Sequence, residues 1–188
     1  GWLLADLRWA PMPMIELGAS RMGVFGGQGR PAPEITELLL PLDPHVEDDP
    51  DQELPDQDEI AALDARLTLP LQVQEEAGHL ELYIQYGGED MIVRDIIGLP
   101  VPALAGVANL YGVEVGLGAL VLDIEHARVL DDRFRWYTGH RIYHEGFTQA
   151  GQVMGHPEGG DARSTQTSAR WFPGEWGVEL SYGHALQV

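Results

Sequence analysis

Polar and apolar side chains alternate with a period of two residues along most of this chain. In residues 61–69, Leu63 and Leu67 alternate with Asp64 and Arg66, and the same pattern recurs in the stretches GWLLADLRWAP, HLELYIQY, LVLDIEHA and EWGVELSYGHA. Successive residues of a strand point to opposite faces, so this period predicts strands with one apolar and one polar face. Helical spacing is almost absent, and the sequence therefore predicts an all-β protein.

Two architectures fit this alternation, a sandwich with polar faces in solvent and a membrane barrel with polar faces around a lumen. No apolar run reaches the length of a transmembrane helix, but a barrel strand needs only about 10 residues. Aromatic residues lie near the predicted strand ends, namely Trp9, Trp171, Trp176 and Tyr182. Such residues are typical of an interfacial aromatic girdle and also of an ordinary core, so both architectures stay open.

The charge and the cysteine count exclude several classes of function. The net charge is -19, and all 11 basic residues are Arg. Nucleic-acid binding needs clustered cations that release counterions, so no nucleic-acid partner is expected. The chain has no Cys, which excludes disulfides, thiolate zinc sites and cysteine nucleophiles.

A long acidic segment at about 41–59 interrupts the strand pattern. Eight acidic residues fall between Glu47 and Glu59, and Pro44, Pro50 and Pro55 lie in the same segment. This composition predicts a solvated loop rather than a strand. Clustered carboxylates also suit a hard cation, so calcium binding at this loop is a second hypothesis. No other cofactor is expected.

Residues 143–161, YHEGFTQAGQVMGHPEGGD, combine five glycines with two histidines. His140 and His144 have the spacing of a helical zinc site, but Arg141 stands where the zinc-protease pattern needs Glu. In a strand the two would lie about 13 Å apart, too far to share one ion. No motif identifies catalytic residues or metal ligands. The glycines predict a shaped loop, in which His156 and Asp161 either contact sugar or satisfy backbone groups.

This stretch resembles a signature of the Wzi family of capsule assembly proteins: Tyr and His, a Gly-aromatic-Thr step, then G-x-V-x-G-H-P-x-G-x-D. Three other segments resemble the family in the same order. They are LRWAPMPMIELGASRMGVFGGQGRP with Arg21, LELYIQYGGED with Tyr83, Glu89 and Asp90, and LVLDIEHARV with Glu125. The resemblance spans essentially the whole chain.

The resemblance implies an antiparallel up-and-down transmembrane β-barrel of about 18 strands in the outer membrane of Gram-negative bacteria. Members are lectins that bind capsular polysaccharide and help attach or assemble capsule at the cell surface; they are not known as enzymes. About eight strands fit in 188 residues, so we expect residues 1–188 to form one partial barrel domain without the first strands or the helical plug. Its partners would be capsular polysaccharide and outer-membrane lipid.

The resemblance and the alternation together suggest glycan-binding candidates. Arg8, Arg21 and Arg66 lie on or near polar strand faces, and the planar guanidinium fork binds a sugar carboxylate bidentately. The residues expected to face the lumen are Arg8, Arg66, Tyr83, Glu125 and Tyr143. Those expected to shape a glycan-contacting loop are Tyr143, His144, His156 and Asp161. Two alternatives remain, an outer-membrane porin or transport barrel and a soluble β-sandwich carbohydrate-active protein.

Overall fold

The described part of the chain is an open antiparallel sheet accompanied by one short hairpin. The computed structural model describes residues 2–24, 58–96, 99–129, 148–149, 152–153, 156 and 160–187. The strands are β1 (Trp2–Met12), β2 (Ile15–Val24), β3 (Asp58–Val73), β4 (Glu76–Ile96), β5 (Leu99–Leu117), β6 (Leu120–Val129), β7 (Thr148–Gln149), β8 (Gln152–Val153), β9 (Ala162–Trp171) and β10 (Val178–Gln187).

Eight of these strands form one sheet in the order β1-β2-β3-β4-β5-β6-β9-β10, and β7 pairs only with β8. Every neighbouring pair is antiparallel. Among the described residues there is no helix, and hence none that is long and apolar enough to cross a membrane. The predictions of an all-β, up-and-down chain with about eight strands are confirmed.

The register sorts the alternating residues onto two faces with different exposure. The polar face carries Asp64 and Glu81, whose side chains are only 16% and 19% exposed. In the same interior strands, the apolar face carries Leu63 and Ile84, which are 59% and 52% exposed. This is the reverse of a soluble sheet, where apolar residues are shielded and charged ones are exposed. A sheet that shields its polar face has the polarity of a barrel with a polar interior.

Only a small cluster of buried apolar residues exists in the described part of the chain. Val24, Ala108 and Val129 form it, with Met22 and Ile60 packed against it. A sandwich of two sheets would bury alternating side chains along every strand. The described strands show no such core, which argues against the soluble-sandwich alternative.

Two features of the strands differ from the sequence-based prediction. The alternating stretches in the sequence are only 8 to 11 residues long, but β3, β4 and β5 span 16, 21 and 19 residues. In addition, β3 begins at Asp58, so the end of the predicted 41–59 loop is strand. The backbone of Asp58 pairs with Val24 of β2, and this pairing overrides the weak strand propensity of acidic residues. Residues 41–57 lie outside the described residues.

Short turns connect the strands at one end of the sheet. They are residues 13–14, 74–75 and 118–119, and a longer turn covers 172–177. Gln74 and Gly118 adopt positive φ angles of 55° and 54°, as tight hairpin turns require. The long connections 25–57 and 130–161 leave from the opposite end, as does the connection 97–98, which follows a β4–β5 pairing that extends beyond the neighbouring strands. Short turns at one end and long loops at the other are typical of outer-membrane barrels.

The register can be tested by engineered disulfides because the chain has no cysteine of its own. Leu122 of β6 is directly opposite Ala169 of β9. We expect a Leu122→Cys/Ala169→Cys variant to form an intrachain disulfide, because paired residues have the Cα separation that a disulfide requires. Nonreducing mass spectrometry of the folded protein would detect it.

The matched control is Leu122→Cys/Ser168→Cys, which should stay reduced because Ser168 points to the other face. A register displaced by one residue would reverse the two results.

Candidate functional site

The polar face is the candidate site because it concentrates the titratable side chains of the sheet. Its described carboxylates are Asp6, Glu16, Asp64, Glu81, Glu114, Asp123, Glu125 and Glu179. The guanidinium groups that share this face are Arg8, Arg66 and Arg170. Eight carboxylates against three guanidinium groups make the surface anionic.

At the β1 side of this face, one arginine connects three strands. Arg8 of β1 forms ion pairs with Asp6 (Nε to Oδ2, 3.0 Å) and with Glu16 of β2 (Nη1 to Oε1, 3.7 Å). It also donates a hydrogen bond to Asp64 of β3. Arg8 reaches past β2 because the residue beneath it is Gly18, where a Cβ would collide with both Arg8 and Asp64. The guanidinium therefore links two strands that are not neighbours.

A second glycine allows a similar crossing at the centre of the face. Tyr83 of β4 donates a hydrogen bond from its hydroxyl to Oε2 of Glu125 on β6, at 3.0 Å. The tyrosine ring lies over Gly112 of β5, where a Cβ would collide with the ring. Two residues predicted to face a lumen are thus in contact, although they are 42 positions apart.

A cluster of charged and polar residues lies closer to the short turns. Glu114 of β5 accepts from Arg170 Nη2 at 2.5 Å and is 3.0 Å from Nε2 of His79. Glu81 is 3.4 Å from Nε of Arg66 and accepts from the Thr68 hydroxyl at 3.3 Å. The carboxylates of this region therefore bind side chains of other strands rather than remain unpaired.

Described residues line two cavities on the sheet. The first, of about 530 Å³, includes Asp123, Gln166, Ser168, Arg170 and Glu179 in its lining, and Ser168 donates a hydrogen bond to Asp123. This cavity presents hydroxyl, amide, carboxylate and guanidinium groups together. Such a mixture of donors and acceptors suits a polyhydroxylated ligand.

The second cavity, of about 390 Å³, lies beside the buried apolar cluster at the long-loop end of the sheet. Met22, Ile60 and Val129 contribute to its lining, together with Arg21 and the half-buried His156. His156 is thus the one described member of the candidate glycan loop that reaches a cavity of the sheet.

The structure places the other candidates as follows. Arg8, Arg66, Tyr83 and Glu125 share the polar face, as expected for lumen-facing residues. Asp161 directly precedes β9, and its φ of 56° lies in the left-handed region. Tyr143 and His144 lie outside the described residues. Glycan contact by these residues remains a prediction.

One arginine was misplaced by the sequence-based prediction. Arg21 was expected on or near the polar side, but it pairs with Ala5 and Ala61 in the register of the apolar face and is only 8% exposed. The sequence-based prediction did not define the position of Arg21 relative to the tight turn at 13–14. That turn fixes the register of β2 and hence the face on which Arg21 lies.

Several residues of the polar network were missed from the sequence. Glu114 and Arg170 lie in strands whose alternation is weaker, and Gly18 and Gly112 gave no sign that long side chains cross them. The sequence did offer one signal: each of these four residues is an even number of positions from the polar-face residues of its strand, and it therefore lies on the polar face.

No cluster of three or more metal-ligating side chains occurs among the residues that the structure describes. Most of the acidic segment proposed to bind calcium, and the pair His140 and His144, lie outside that part of the chain. The calcium hypothesis therefore stays a prediction.

Several exposed aromatic residues lie beside the short turns, whereas Tyr182, also expected near a strand end, lies in the middle of β10 opposite Thr167. Trp171 and Trp176 contact each other edge to face, with ring centroids 5.5 Å apart, and Phe172 is exposed between them in sequence. Trp9 lies near the end of β1 that leads into the turn at 13–14 and is 62% exposed. Exposed aromatic rings at one level of a sheet resemble the girdle at a membrane interface.

The crossing at Gly112 gives a stability test. We expect Gly112→Ala to lower the free energy of unfolding by about 1–3 kcal/mol, because the added Cβ must displace the Tyr83 ring and its bond to Glu125. Urea unfolding of the protein refolded in detergent micelles would measure the change.

Gly183 lies in the same cross-strand row and supplies the control. A Cβ at Gly183 would meet only Gln166 Cγ, at 3.7 Å, so Gly183→Ala should leave stability unchanged or slightly higher. Equal losses in the two variants would contradict the crossing.

Known proteins resemble this chain in both sequence and fold. The sequence profile described as Capsule assembly protein Wzi matches residues 3–187. Among solved structures, the chain is similar to Wzi of Escherichia coli, described as an outer membrane protein involved in group 1 capsule assembly and a carbohydrate-binding β-barrel. The TM-score is 0.63 at 21% identity, over 97% of this chain and 37% of that one. No curated protein sequence matches the chain.

The match to a solved barrel agrees with the eight-stranded antiparallel sheet and its exposed apolar face. The chain spans little more than a third of the E. coli protein, 37%. The family profile covers nearly every residue, and the resemblance stated from the motifs is confirmed. The chain belongs to the Capsule assembly protein Wzi family.

Proposed function

We propose that this chain forms a sector of an outer-membrane β-barrel that binds capsular polysaccharide and helps attach or assemble capsule at the cell surface. The observation that carries the proposal is that the interior strands expose their apolar side chains more than their carboxylates: Leu63 and Ile84 are 59% and 52% exposed, whereas the side chains of Asp64 and Glu81 are 16% and 19% exposed. In water, so many exposed leucines and isoleucines would promote aggregation. When the same face contacts the acyl chains of lipid, its apolar side chains are removed from water and the sheet is stabilised.

The polar face then lines the lumen and is the surface available to a polysaccharide. Arg66 is the most accessible of its arginines, with a side chain that is 50% exposed and only a 3.4 Å pair to Glu81. A surplus of carboxylates disfavours an acidic glycan, so binding of such a polymer depends on guanidinium groups or on bridging divalent cations. Arg66 can offer two parallel donors to a sugar carboxylate.

We propose a binding role without catalysis. Catalysis of glycoside hydrolysis commonly uses two carboxyl groups that flank the scissile bond. Most described carboxylates of the lumen face instead pair with Arg, His, Tyr or Ser side chains, as Glu114 does with Arg170 and Glu125 with Tyr83. These contacts hold the sheet together and leave a surface of fixed donors and acceptors.

A porin or transport barrel would have the same fold, but its lumen would be open. An open polar lumen conducts ions, whereas a lumen closed by a plug or by bound polymer does not. Single-channel recording of the full-length protein in a planar bilayer therefore separates the two, and large steady conductance would favour the porin.

If the apolar face contacts lipid, a charged substitution should destabilise the protein much more on that face than on the polar face. Ile124 lies in the middle rows of the apolar face, and we expect Ile124→Arg to reduce the free energy of folding into lipid by about 2–4 kcal/mol. Gln166→Arg on the polar face, beside Glu125, should cost little. Urea titration of folding into phospholipid vesicles, followed by heat-modifiable gel migration, measures both; equal effects would contradict a lipid-facing apolar face.

The capsule role predicts a phenotype in cells. Deletion of the full-length gene should raise the fraction of capsular polysaccharide shed into the medium, and complementation should reverse it. Unchanged attachment in the deletion strain would contradict the role in capsule.

Purified full-length protein should also bind the polysaccharide less tightly when Arg66→Ala or Tyr143→Ala is introduced. A loss of about 10- to 150-fold corresponds to one hydrogen bond to a charged group. Glu75→Ala, in the turn at 74–75, serves as the control with unchanged affinity. Wild-type affinity in both Arg66→Ala and Tyr143→Ala would remove these residues from the site.

A further inference from the structure

Two arginines face each other directly on the apolar side of the sheet. Arg128 of β6 is the cross-strand partner of Arg163 of β9, and both side chains are exposed. Their neighbours in the same row are Asn109 and Tyr86 on one side and Leu186 on the other. Two of only 11 basic residues in the chain thus occupy one cross-strand pair.

Like charges directly opposite each other destabilise a sheet. No salt bridge between described residues involves Arg128 or Arg163. The carboxylates of the described side chains lie on the polar face or in the turns, apart from Glu76 beside the short turn at 74–75. Asp161 precedes Arg163 by two residues but is not paired with it. The repulsion is therefore not relieved within the described chain, and an external anion would relieve it.

The height of the pair on the sheet identifies the kind of anion. Leu120, Leu122 and Ile124 form the apolar stretch of β6, and they are 41%, 46% and 48% exposed. Arg128 comes eight positions after Leu120, or about 26 Å along the strand at ~3.3 Å per residue. A strand tilt of about 40° reduces this to about 20 Å, close to the ~25 Å height of a barrel's apolar band.

The pair consequently lies where the apolar band ends, on the side from which the long connections leave. Exposed Tyr86 and Leu186 in the same row offer apolar surface to acyl chains and to the arginine stems. In barrels of this type the long loops are extracellular, so the leaflet at this level is the outer one.

We propose that Arg128 and Arg163 form a binding site for the phosphate of an outer-leaflet lipid head group. Two guanidinium forks on adjacent strands can each donate paired hydrogen bonds to phosphate oxygens. The anion neutralises the repulsion between the arginines, and the lipid in turn fixes the depth of the barrel in the leaflet. The site rests on the proposed membrane placement and is independent of the polysaccharide.

The test is binding of lipid A, a bisphosphorylated glucosamine lipid, to the full-length protein in detergent micelles, measured by native mass spectrometry. Arg128→Gln/Arg163→Gln should weaken binding about 30-fold, since each basic residue near an anionic surface contributes about 1 kcal/mol. Arg128→Lys/Arg163→Lys retains both charges and should recover most of the affinity. Glu75→Gln changes the charge by one unit in the turn at 74–75, at the other end of the sheet, and should have no effect.

Two further binding measurements test whether the lipid phosphate is the group that binds. Dephosphorylated lipid A should bind wild-type protein no better than it binds the double Gln variant, and inorganic phosphate at millimolar concentration should not displace lipid A. Equal affinity of wild-type and double Gln protein for lipid A, or displacement by free phosphate, would overturn the proposal. Since Ile124→Arg reports on membrane placement separately, failure here with a normal Ile124→Arg penalty removes only the lipid site.

Discussion

The antiparallel register from β1 to β10 is the constraint on which the rest of the structure depends. The strand period is two, so a slip of one residue would exchange the faces and place Asp64 and Glu114 where Leu63 and Val113 now lie. The short turns at one end limit such slips, and backbone bonds such as Thr68 N to Met14 O continue the pairing into them. Once the register is fixed, the polarity of both faces follows.

Cohesion across the polar face comes from side chains that pass over glycines, in place of a conventional apolar core. Arg8 over Gly18 and Tyr83 over Gly112 connect strands that share no backbone hydrogen bonds. Each contact is partly exposed and contributes modestly by itself. Together they shield the carboxylates of a face that would otherwise be strongly hydrated, and they hold its donors and acceptors in fixed positions.

The separation of charge between the faces is the basis for proposing a different partner for each. Carboxylates and three arginines line the polar face, where a polyhydroxylated polymer can bind. The apolar face is almost free of described carboxylates, yet it carries Arg128 and Arg163 at the level where its apolar rows end.

The sequence by itself determined the strand period, the polarity of each face and the family, since these depend on local alternation and on short motifs. It placed Arg8, Arg66, Tyr83 and Glu125 on one face. Only the tertiary structure decided that Tyr83 contacts Glu125, that β3 begins at Asp58, and that Arg21 falls in the apolar register. Alternation fixes which face a residue occupies, whereas its partner depends on pairing between strands that are distant in sequence.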